Sequence, residues 1–142
     1  MLIKDPMGTC FGSHKKYGLQ GVSMITLASV LIALVAALHF YFLILEMFFW
    51  DKPLGRKAFG LSPEFATASK ALAANQGLYN GFLAAGLSWG VCLGDAGFSI
   101  KLFFLGCVIV AGLFGAMTVS RKIFFIQAVP AILAVITVLL SH

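Results

Sequence analysis

The stretch ALHFYFLILEMFFW sets two ionisable side chains, His39 and Glu46, in an apolar run where Glu46 is the only full charge between Tyr17 and Trp50. At about 100° per residue, their spacing of seven puts them within about 20° of one helix face, two turns apart. An imidazole and a carboxylate so placed can hold a polar head group, or move a proton to and from a lipid-like substrate. With Val35 at the centre of the run, a rise of about 1.5 Å per residue sets His39 about 6 Å and Glu46 about 16 Å from the midplane. Glu46 therefore has two readings: a side chain at the headgroup boundary, or a carboxylate inside a helix bundle facing a partner or ligand. His39 also has two, a base facing a ligand or a neutral imidazole satisfied by Tyr79 or a nearby amide.

A second polar group is NQGLYNG, where Asn75 with Tyr79, Gln76 with Asn80, and Gly77 with Gly81 form three pairs at i, i+4. Amides in hydrocarbon require hydrogen-bond partners, and glycines let a neighbouring helix come close. The cluster thus reads equally as helix–helix glue or as the wall of a site. Gly86, Gly90 and Gly94 repeat the spacing and read as packing. Further on, Gln127 precedes Pro130, which removes a backbone donor and tends to kink a helix.

These residues do not make a redox or metal centre. A haem held by two histidines is excluded, because His14 and His142 lie outside the apolar runs. A di-iron bundle needs several carboxylates with Glu-x-x-His pairs. Cys10, Cys92 and Cys107 form no CxxC. No metal site, cofactor or catalytic residue is assigned.

The elements that must position these side chains follow from composition. The 142 residues are 61% apolar and 11% charged, with a mean hydropathy of +1.00, whereas soluble domains are about half apolar and a quarter charged. The expected fold is all-α, an integral membrane four-helix bundle, since the apolar runs lack the period-two alternation of a barrel. Four spans of about 20 residues use roughly 80, leaving no length for a soluble catalytic domain. Spans are expected at about 22–49, 71–93, 102–119 and 123–140, forming one domain over 22–142. Residues 1–21 read as a retained tail, flexible or interfacial, because the apolar run after it exceeds a signal h-region and no clean cleavage site follows. In the loop 51–70, Ser62-Pro63-Glu64 has the chemistry of a helix start. Trp50, Phe48, Phe49 and Trp89 fit aromatic belts and packing.

Alternating span directions put His39, Glu46, Asn75, Gln76, Asn80, Thr118 and Gln127 in one half of the membrane. Arg56, Lys57, Arg121 and Lys122 rim the same side, where they can contact headgroups. The net charge of +5 lies in tail, loops and span ends, which points to anionic lipid and not to nucleic acid. Six basic residues against four favour the first and third loops as cytoplasmic, while Lys15 and Lys16, close to the first span, pull the other way.

On HFYFLILEMFFW, GRKAFGLSPEF and KALAANQGLYNGFLAAGLSWG the sequence resembles the small four-span membrane protein family known as domain of unknown function 1304. The resemblance runs from about Ser29 to the C-terminus. It implies the same four-helix architecture and a shared site for the polar clusters, and it implies no activity. The expected function is binding of a lipid, quinone or other amphiphile in a polar half-membrane cavity by His39, Glu46, Asn75, Gln76, Tyr79, Asn80 and Gln127. The alternatives are an accessory or assembly subunit of a larger membrane complex, and an oligomeric small-solute transporter. Expected partners are membrane lipids and a larger complex or further copies of the chain; the expected location is the bacterial inner membrane, as a multi-pass protein.

Overall fold

The computed structural model describes residues 19–142, and the expected tail, residues 1–21, lies outside them except for 19–21, which already belong to the first helix. Helix α1 (Leu19–Ile44) continues into a π-helical turn, Leu45–Phe49. Helix α2 (Pro53–Phe59) is short, α3 (Pro63–Cys92) is long, and a 3-10 turn (Gly94–Gly97) leads into α4 (Phe98–Thr118). A second π turn, Phe124–Ala128, opens α5 (Val129–Ser141). No strand occurs among the described residues.

Helix α3 starts where the sequence places it. The Ser62 hydroxyl accepts from the Phe65 amide at 3.2 Å, and Pro63 occupies the first turn, where its missing N–H has no intrahelical partner to lose. The carboxyl of Glu64, in that turn, is held below the usual carboxylate range by its own backbone N–H and by Ser62. Helix α2 was not expected; it fills part of the loop foreseen at 51–70. It begins on Pro53 and ends at Gly60, whose φ of 66° suits a residue without Cβ. A Cβ on Gly55 would run into the Phe49 carbonyl, so glycine lets α2 lie against the first π turn.

Three helical stretches are long and apolar enough to cross a membrane: Gly21–Phe49, Gly94–Thr118 and Phe124–Ser141. The expected second span, 71–93, falls inside α3, which at 30 residues has ample length. It is not among the three, because Asn75, Gln76 and Asn80 lower its apolar character. The described chain thus has five α-helices, three of them apolar enough to span, where four spanning helices were expected.

Helices α1 and α4 each pack against both α3 and α5. The shared core holds Ile32, Val35, Leu87, Leu105, Val108 and Ala131. Outside it, Leu34, Phe103, Val110 and Phe114 are each at least 60% exposed. An all-helical protein with large apolar side chains inside and outside matches a hydrocarbon solvent.

Candidate functional site

Glu46 sits in the first π turn, buried beside Leu45. The wider turn of a π segment lets two consecutive residues face inward, where a straight α-helix was expected to run on to residue 49. Asn80 on α3 donates from Nδ2 to Glu46 Oε2 at 2.7 Å. Gly77 makes that approach possible: a Cβ there would lie 2.8 Å from Met47 Cγ and 3.1 Å from Glu46 Cβ. A Cβ on Gly81 would strike the Leu43 side chain. The amide and the GxxxG step therefore seat α3 on the end of α1.

His39 has no exposed surface. Its Nδ1 lies 2.8 Å from the Val35 carbonyl, and since a carbonyl only accepts, Nδ1 carries the proton. The ring edge approaches Phe42, with centroids 6.2 Å apart. His39 Nε2 is buried and has no hydrogen-bond partner among the described residues. The imidazole is thus satisfied by its own helix, and neither Tyr79 nor an α3 amide bonds to it.

The other residues expected at the site are spread out. Asn75, Gln76 and Tyr79 are exposed on α3, whereas Asn80 on the same helix is buried. Gln127 is half-buried in the second π turn, just ahead of Pro130. The proline lacks the N–H that would bond the Ile126 carbonyl, and its ring crowds that carbonyl, which accounts for the irregular turn there. The Thr118 hydroxyl donates to the Phe114 carbonyl at 2.8 Å, within its own helix.

The end of α1 and the start of α3 are tied by further contacts that are not evident from residue spacing. Trp50 Nε1 donates to Ser69 Oγ at 3.0 Å, and the Trp50 and Phe59 rings lie 4.9 Å apart. Lys70 Nζ pairs with Asp51 Oδ2 at 2.9 Å. This contact with Lys70 holds the Asp51 carboxyl below its usual range. Arg56 is half-buried, and Lys57, Arg121 and Lys122 are exposed. Phe98 stacks on His142 at 4.0 Å, so α4 starts where α5 ends. The last turn of α4 and the first of α5 therefore share the other end with these basic residues.

Also absent from the sequence reading is an open groove of about 620 Å³ along the α1–α3 seam. Ala33, Ala36 and Ala37 face Gly81, Ala84 and Ala85 across it, with Phe40 and Leu43 alongside and Ser88 and Cys92 farther along α3. Small residues at i, i+3 and i+4 on both helices are the available signal, one that close helix packing produces equally. Ala36 and Ala84 are only 6% and 7% exposed, so the groove reaches to the core. Among the described residues no three His, Cys, Asp or Glu side chains gather.

The family model described as "Protein of unknown function (DUF1304)" matches residues 33–139, which include His39, Glu46, Asn80 and the groove. The uncharacterized protein YpaA of Lactococcus lactis subsp. lactis (strain IL1403) is 30% identical over 115 residues, covering 79% of this chain and 97% of the relative. No solved structure matches the chain.

Proposed function

The chain belongs to the DUF1304 family of proteins of unknown function, and from that premise we propose that it is a four-span, multi-pass protein of the bacterial inner membrane that holds a lipid, quinone or other amphiphile between α1 and α3. The observation that carries this reading is the seam groove of about 620 Å³, within the roughly 300–1,000 Å³ of small-molecule sites. Its small-residue floor leaves an apolar trough open to the side, from which a chain in the bilayer can enter. Ser88 is the hydroxyl side chain in the lining, and His39, Glu46 and Asn80 stand outside the lining on the same run of helices. Arg56, Lys57, Arg121 and Lys122, at the end where α1 meets the start of α3, suit anionic headgroups. In this reading α3 is the fourth span, with the buried bond from Asn80 to Glu46 offsetting part of its polarity.

Native mass spectrometry of gently extracted protein tests the reading. Wild type is expected to carry a bound lipid-like mass. Ala37→Phe with Ala85→Phe fills the groove from its exposed side and removes that mass while the melting temperature holds. An unchanged bound mass in the filled variant refutes the groove as the site.

A second reading, a subunit of a larger assembly or a homo-oligomer, is favoured by Asn75, Gln76 and Tyr79. They are exposed on the helix proposed as the fourth span, and intramembrane polar side chains usually face other protein. A stable complex without the small bound mass in the same spectra supports it instead.

A further inference from the structure

Of the buried side-chain atoms without a hydrogen-bond partner among the described residues, on His39, Asp51 and Arg56, the one on His39 belongs to a residue with no exposed surface. Its ring is fully buried and its Nδ1–H is committed to the Val35 carbonyl at 2.8 Å, leaving Nε2 as a fixed lone pair. Such an atom accepts a hydrogen bond or binds a metal. The described residues gather no set of three ligating side chains to complete a metal site, which leaves the hydrogen bond.

The buried donors on the packed helices are already used. Asn80 donates to Glu46, and the Thr137 hydroxyl donates to carbonyls of its own helix. Ser88, farther along the groove, donates to the Ala84 carbonyl at 2.8 Å. Ala36 and Leu43, one turn to either side of His39 on the same helix, line the groove, as does Phe40, whereas His39 itself is buried behind the lining.

We propose that His39 Nε2 accepts a hydrogen bond from an O–H group admitted at the α1–α3 seam, so that the site favours an amphiphile with a hydroxyl head, such as a long-chain alcohol or a quinol, over one whose head only accepts. The hydroxyl chemistry rests on the groove reading for its amphiphilic source; water is the other source of the same O–H bond. The proposal involves no covalent step. The imidazole receives the bond in its neutral form and keeps its Nδ1 proton.

The test is ¹⁵N NMR of histidine-labelled protein in phosphatidylcholine nanodiscs, because that headgroup has no hydrogen-bond donor. His14→Gln and His142→Gln leave His39 as the sole signal. The probes are 1-dodecanol and dodecyl methyl ether, alike in tail and differing in the hydroxyl. The expected result is an unprotonated Nε2 whose resonance moves toward the hydrogen-bonded position with the alcohol and stays put with the ether. A resonance already in that position before either probe is added, with magnetisation transfer from water, also supports the O–H bond and names water as its source. A protonated Nε2, or one that resonates as a free nitrogen throughout, overturns the proposal. Native mass spectrometry of the same samples separates the two readings. Alcohol bound with Nε2 still resonating as a free nitrogen sinks the hydroxyl bond and leaves the groove; neither probe bound sinks the groove, and the Nε2 resonance still decides the bond.

Discussion

Asn80 and Asn75 are the same residue type five positions apart on one helix, and one is buried against Glu46 while the other is exposed. Five residues at about 100° each turn the helix by about 500°, close to opposite sides of the cylinder. Only one of the two can face α1, and Gly77 next to Glu46 marks which face that is. Asn80→Ala removes the donor and leaves a buried carboxylate oxygen unpaired, so a loss of about 1–3 kcal/mol is expected. Thermal melting in detergent checks it; Asn75→Ala, on the exposed side, should melt within about 0.5 kcal/mol of wild type. Equal losses in both variants would refute the pairing as a structural tie. His39 is a different case, because its near partner is a backbone carbonyl of its own helix, a contact that any helical histidine can reach and that no spacing rule singles out.

At the scale of elements, glycine rows do what the sequence reading expected, except at one position. The Phe104 ring lies over Gly86, and a Cβ on Gly90 would sit 2.9 Å from Lys101 Cγ, so both seat α4 on α3. Gly94 of the same row is outside the helix with φ of 59°, and serves the turn. The end of α1 and the start of α3 are clamped by Trp50 with Ser69 and Asp51 with Lys70. Because Lys70 depresses the folded-state carboxyl of Asp51, that pair contributes stability above the unfolded carboxylate range and loses it as the pH falls through the folded-state value. Wild type should therefore melt above Asp51→Asn at pH 7, and the difference should narrow as the pH falls below the ordinary carboxylate range. Melting curves of both proteins from neutral pH into acid check it; a gap that does not narrow counts against the ion pair.

For the whole molecule, the open question of span count has a geometric answer to test. Six basic residues, Lys52, Arg56, Lys57, Lys70, Arg121 and Lys122, share one end of the described chain, while Lys101 is at the other. If α3 crosses, helix α2 with Lys57 and the turn holding Asp95 lie on opposite faces of the membrane. Single Lys57→Cys and Asp95→Cys variants, in a background with Cys10, Cys92 and Cys107 changed to serine, should then react with a membrane-impermeant thiol reagent from opposite sides. Reaction from the same side would mean that α3 does not cross. The excess of positive charge predicts that the Lys57 side is cytoplasmic.

The sequence by itself determined the solvent and the element type. Long uncharged runs can meet their backbone hydrogen bonds in hydrocarbon only as helices or closed barrels, and the absence of period-two alternation leaves helices. It also located the start of α3, since Ser62 and Pro63 act within one turn. The arrangement of faces was decided by tertiary structure. In helices apolar on every side, periodicity does not say which stripe meets protein and which meets lipid, so Asn80 could not be told from Asn75, Gln76 or Tyr79. The two π turns and α2 depend on neighbours distant in the chain or on crowding at a helix end. The α1–α3 groove exists only because small residues from two segments about 50 positions apart meet, and that meeting is set by how the helices cross.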